Sequence, residues 1–198
     1  MDLSHNGAVF MSSKNKKKYT KTVLPMAKNH SWKAPPGYQI AVIDRGAVSF
    51  NFPAGWMIKG FDPLEIHDGD PPNDNARIMV TVFNVPRGVD WSGLPLGPLL
   101  LNAVQGGEIK ILERSVVHEE PRTDIQVMWL QQKFRDPVEP RDAYSRIAMA
   151  RGQRVHVLIT FDFWVDQAEQ MTPVWDEVLR SLLLDRVIQD PTKGEVLH

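Results

Sequence analysis

The chain has 198 residues, with 23 Lys plus Arg, 24 Asp plus Glu, six His, no Cys and a formal net charge of −1. That length suits one domain with an extension, and a 42% hydrophobic content supplies a core, which excludes wholesale disorder. The missing Cys excludes disulfides, thiolate metal sites, thiol catalysis and lipoprotein-type acylation, and no apolar run reaches the roughly 18–20 residues of a membrane span.

The charge is unevenly spread. Residues 1–33 carry seven Lys and the single acid Asp2, or +6, leaving −7 on residues 34–198. The pattern is a basic arm on an acidic body, which is a signature of an interaction tail. Lys14, Lys16, Lys17, Lys18 and Lys21 form its cluster, in a stretch with nothing to bury and no helical stripe, so the arm is expected to be flexible in isolation. The cluster serves as a solubilising tail, as a contact to phosphate or anionic lipid, or as a nuclear-import address. Tyr19 alone stands nearby as a stacking aromatic, which leaves single-strand nucleic-acid recognition thinly supported. The apolar stretch that follows, Thr22 to Ala27, is short and broken by Pro25, so it does not read as a secretory signal. The expected address is cytoplasmic.

The body begins near Trp32 or Pro35-Pro36-Gly37. Tyr38 to Ile43 reads as a strand, and Val48, Phe50 and Phe52 alternate with Ser49 and Asn51 as in a half-buried strand. Residues 62–76, rich in Asp, Asn, Pro and Gly, read as a polar loop. Arg77 to Val85 is apolar at both parities, as expected of a central strand covered on both sides. Leu99 to Val104 reads as a short helix (97–105) closed by Gly106-Gly107. Ile109 to Val117 and Ile125 to Phe134 read as strands.

Residues 142–163 satisfy either a helix ending at Gly152 or a hairpin. Tyr144, Arg146 and Ala148 alternate with Ser145, Ile147 and Met149, and Val155, Val157, Ile159 and Phe161 follow at strand spacing. The hairpin, turning at Arg151-Gly152-Gln153, is therefore the expectation. A helix over 166–184 is the clearest element: a preceding turn at Asp166 to Met171, then Thr172 as N-cap, Pro173 at N1 and the stripe Trp175, Val178, Leu179 and Leu182. The whole reads as α+β: about six strands of mostly antiparallel sheet with packed helices. The expected organisation is a basic arm at 1–33, a folded domain at 34–186 and a polar tail at 187–198.

Chemistry-bearing residues are sparse. Glu65, His67, Asp68, Asp70 and Asp74 crowd one loop, where oxygen donors can hold a hard cation and His67 admits a transition metal; the same residue types are ordinary turn formers. His118-Glu119-Glu120 pairs a base with carboxylates but reads as surface charge at a hairpin tip. His156 reads as a structural histidine. Ser115 and Ser145 lack a nucleophile-elbow context, and Gly106-Gly107 lacks the spacing of a phosphate or dinucleotide loop. Of the six tryptophans, Trp91, in a Gly/Pro-rich loop, is the best candidate for an exposed partner contact. No catalytic residue and no cofactor are expected.

Tyr144 to Phe161, then Asp162-Phe-Trp164, then Pro173 to Leu182, resemble the end of PsbP-like domains, and Val48-Ser-Phe-Asn-Phe-Pro-Ala-Gly-Trp56 is similar to their entry strand. The resemblance covers residues 46–184 in layout. It implies an α/β/α sandwich, mostly antiparallel β-sheet with helices on both faces. It also implies a non-enzymatic accessory or assembly role in a larger complex, as in photosystem II extrinsic subunits and a Ran-GTPase release factor. No functional residue carries over from either.

Three roles follow as expectations. The first is a protein-binding or accessory subunit tethered by its arm, photosystem-associated if the resemblance extends that far. The second is a small-ligand or metal-dependent enzyme using the 65–74 loop. The third is nucleic-acid or anionic-surface binding through the arm.

Overall fold

The structure, a computed structural model, describes residues 34–105, 109–188 and 196–197. The basic arm and its lysines lie outside the described residues.

The chain opens with β1 (Tyr38–Ile43) and β2 (Val48–Pro53), an antiparallel hairpin with Ile43 opposite Val48. β3 (Met57–Phe61), β4 (Leu64–His67) and β5 (Ala76–Asn84) follow as a meander. After α1 (Leu96–Ala103) come β6 (Ile111–Arg114), β7 (His118–Glu119) and three ten-residue strands. These are β8 (Gln126–Arg135), β9 (Asp142–Arg151) and β10 (Val155–Trp164). α2 (Ala168–Ser181) and β11 (Leu183–Leu184) lead to β12 (Val187–Ile188), which pairs with β13 (Val196–Leu197). The main sheet runs β3-β4-β5-β10-β9-β8-β6, with β7 also on β8; a second sheet is β1-β2-β11. All described pairings are antiparallel, so the α+β reading holds.

Strand alternation sorts the helices. Ala148, Ala150, Val157, Ile159 and Phe161 join Trp175, Val178 and Leu179 of α2 and Val48, Phe50 and Phe52 of β2 in the main core. Residues of the opposite parity, Ile147, Met149, Leu158, Met128 and Leu130, pack with Leu100 and Leu101 of α1. Successive side chains on a strand point to opposite faces, so α1 and α2 cover opposite faces of the central strands.

Four local expectations change. Residues 62–76 contain β4, whose Leu64 and Ile66 are buried opposite Val80 and Ile78; a four-residue strand flanked by Pro and Asp gives too short an alternation to stand out. β5 is less covered on its second face: Ile78 and Val80 are buried, while Met79 and Thr81 are half-buried and Phe83 is 42% exposed. α1 packs chiefly on β8 and β9. The expected 109–117 strand shortens to β6, and β7 follows beyond it, placing His118 and Glu119 in a ladder rather than at a tip. Finally, α2 starts at Ala168, so Pro173 lies inside it. Thr172 donates its hydroxyl to the Ala168 carbonyl at 2.8 Å instead of capping, and the turn Val165–Gln167 has already begun the helical path.

This difference in burial is testable by paired truncations. Phe161→Ala, at a fully buried ring, is expected to cost about 3–5 kcal/mol in denaturant unfolding. Phe83→Ala is expected to stay within about 0.5 kcal/mol of the parent, as surface changes do.

Candidate functional site

A polar cleft of about 760 Å³ opens at the end of the main sheet where β9 turns into β10. Its walls come from the 90–92 loop, the β7–β8 connection, the 151–156 hairpin and the chain just after β11. Long-range pairing thus brings together four segments that are far apart in sequence.

The hairpin turn is held from outside. Asp185 carries a left-handed backbone (φ 60°), and its carboxylate accepts from the Gln153 N–H at 2.5 Å and the Arg154 N–H at 3.0 Å. The Asp185 N–H is itself anchored on the Ala47 carbonyl at 2.9 Å. A Cβ at Gly152 would stand 2.1 Å from the Asp185 carboxylate oxygen and 3.0 Å from Leu184 Cβ. Glycine is therefore required here for close approach.

Arg151 anchors the opposite wall. One guanidinium nitrogen donates to the Trp91 carbonyl at 2.9 Å and the Leu94 carbonyl at 2.5 Å, and the other reaches the Gln126 side chain. Trp91 is half-buried and meets His156 edge-on, ring centroids 5.1 Å apart. His156 sits opposite Arg151 in the ladder. Burial, then the neighbouring Arg151 charge, push its pKa below the ordinary 6.5, against a smaller opposing pull from Asp185.

On the third wall Arg122 pairs with Asp124 at 2.5 Å and donates to the Leu179 carbonyl at 2.9 Å. It thereby satisfies an end carbonyl of α2, where a cation is favoured. The Arg122 guanidinium holds the Asp124 carboxyl below the usual range. Arg154 and Arg186 line the cleft with no ion pair among the described residues.

His118 stacks on Trp129 at 4.5 Å, and the Trp129 indole N–H donates to Glu120 at 2.8 Å. The His118–Glu120 segment therefore has a packing role besides its surface charge. Ser115 accepts from the Gln131 N–H, and Ser145 donates to Asp162 at 2.6 Å.

The 65–74 residues part company. His67 Nδ1 lies 2.7 Å from Asp74 Oδ2, with Glu65 on its other side. Asp68 accepts from the Asn75 and Ala76 N–H groups, and Asp70 pairs with Lys59 at 2.6 Å. Among the described residues no group of three or more His, Asp or Glu stands in metal-holding geometry, and no helix is long and apolar enough to cross a membrane.

The profile of the Alr1449 family matches residues 39–188. The chain belongs to the Alr1449 family. It is 41% identical over 186 residues, 91% of this chain and 95% of its relative, to the uncharacterized protein alr1449 of Nostoc sp. (strain PCC 7120 / SAG 25.82 / UTEX 2576). A solved structure from Bacteroides thetaiotaomicron VPI-5482 is similar at TM-score 0.50 and 12% identity over 76% of this chain. The alignment spans about half, 49%, of that longer protein. Cyanobacterial PsbP (CyanoP) of Synechocystis sp. PCC 6803 is similar at TM-score 0.49 and 13% identity, over 77% of this Alr1449-family chain and 95% of its own.

The sequence singled out Trp91 only as an exposed loop tryptophan, where the structure has it half-buried in the cleft wall, and gave no sign of Arg151, Arg122 or Asp185. Gly152 was legible as a turn; that a second segment presses against it was not.

Two outcomes follow from this geometry. Gly152→Ala is expected to destabilise the fold by about 1–3 kcal/mol, since the methyl displaces a carboxylate bonded to two backbone donors. Asp185→Ala is expected to cost a similar amount, and the double variant much less than the sum, because both break one contact; thermal unfolding of the three reads it directly. The lowered pKa of His156 means that the fold disfavours its charged form. Its contribution to stability is complete above about pH 6.5 and is lost as pH falls from there through the depressed folded value. The melting temperature is expected to decline as pH falls below about 6.5, and His156→Gln is expected to flatten that limb.

Proposed function

We propose that this chain is a non-catalytic binding protein, an accessory or assembly subunit of a larger complex, which engages its partner through the cleft at the β9–β10 turn. The observation that carries the reading is the cleft's make-up. Its inner charged groups, Arg122, Arg151, Asp124 and Asp185, are engaged in bonds that build the walls. Arg154 and Arg186 present guanidinium groups with no ion pair among the described residues, and Trp91 lines the same cleft. Arginine and tryptophan on a rigid rim are the residue types that concentrate binding energy at protein interfaces. Charges already committed to holding loops are poorly placed to move protons. The resemblance of the sequence to PsbP-like binding and assembly factors points the same way.

The +6 arm adds a second element: a tether that adds affinity for an anionic partner surface through long-range attraction. Affinity capture with the full chain, with Trp91→Ala and Arg154→Glu, and with residues 1–33 deleted, tests the reading. The cleft variants are expected to lose the captured partner while keeping the parent melting temperature. The deletion is expected to weaken capture most at low salt. Capture indifferent to both cleft substitutions would overturn the assignment of the cleft, and capture indifferent to the deletion would remove the arm from it.

A further inference from the structure

His67 lies on β4, between Met57 of β3 and Arg77 of β5 in the ladder, and is 4% exposed. The loop after β4 is pinned by Asp68, which accepts two backbone N–H groups, and by the Asp70–Lys59 pair. Those bonds fix Asp74, whose Oδ2 is 2.7 Å from His67 Nδ1. A carboxylate only accepts, so Nδ1 donates to Asp74 and Nε2 is the ring's second nitrogen. That nitrogen is buried and makes no hydrogen bond among the described residues. It faces Glu65 Oε2 at 3.5 Å, beyond the ordinary range of an N–H···O bond.

A proton shared between these two atoms would draw them into hydrogen-bond range, whereas a metal ion between them holds them farther apart. Donors bound to one tetrahedral ion at about 2.1 Å are separated by about 3.4 Å, which matches the observed spacing. Glu65 reaches this position because residue 60, its ladder partner, is glycine: a Cβ there would press on the Glu65 side chain at 3.0 Å.

We propose that His67 Nε2 and Glu65 form a two-donor site for a divalent transition metal of the zinc type, with Asp74 as the carboxylate that orients the imidazole. The hydrogen bond from a ligating histidine to a carboxylate is the usual support of such sites, and an imidazole-plus-carboxylate donor pair favours zinc or cobalt over calcium. No third His, Asp or Glu joins the pair among the described residues, so water completes the coordination sphere and the ion exchanges readily. Asp68 and Asp70, grouped with His67 by sequence proximity, take no part in it. The site lies apart from the cleft and does not depend on its reading.

The test titrates the full chain with zinc by calorimetry and with cobalt by visible absorption, in the parent, Glu65→Gln, Asp74→Asn and His67→Gln. One ion per chain is expected, with at least a tenfold loss of affinity in Glu65→Gln and roughly 10–100-fold in Asp74→Asn. Should His67→Gln fail to fold, the near-isosteric Glu65→Gln, at a partly exposed side chain, decides alone. Absence of binding to the parent, or unchanged affinity in Glu65→Gln, would overturn the proposal.

Discussion

Phe161 is the point on which the separate layers of this protein depend. Its ring, fully buried, stacks on Trp175 of α2 at 6.1 Å, meets Trp56 ahead of β3 at 5.9 Å and Phe163 of its own strand at 4.9 Å. Trp129 of β8 joins through Trp175. Aromatic pairs contribute beyond the area they bury, and here one ring ties the central strand to the helix and to the approach of β3. The main sheet, α2 and the hairpin β1–β2 share one core to which that ring belongs.

What the sequence made legible follows from how local each determinant is. The alternation of Val155 to Phe161 and the turn at Gly152 are contained in a dozen residues, and the β9–β10 hairpin came out as expected. The stripe Trp175, Val178, Leu179 identified α2 and its buried face, although Pro173 drew the expected N-cap to Thr172, inside the helix: a proline six residues into a helix resembles one at its beginning. β4 was hidden because its partner pattern is supplied by β5 rather than by its own four residues. Phe83 misled in the other direction, since apolar character on a strand's second face says nothing about whether a helix covers it.

The cleft was harder to read than the fold for the same reason. Asp185 acts on Gln153 and Arg154, and Arg122 acts on the end of α2, across separations of about 30 and 57 residues. Such contacts leave no spacing for a pattern to catch. The 65–74 residues show the converse: five acidic or imidazole groups adjacent in sequence look like one cluster, yet the turn sends Asp68 and Asp70 to backbone and lysine partners and leaves Glu65, His67 and Asp74 together.

Arg122 gives the cleft a mechanical link to the core. Its guanidinium grips Asp124 on one wall and the last carbonyls of α2 on the other side. An occupant that drew Arg122 away would uncap the helix that carries Trp175, and one that left the arginine in place would brace it. Through this single side chain the wall of the cleft and the helix that carries the aromatic centre are joined, so a change at one would be felt at the C-terminal turn of the other.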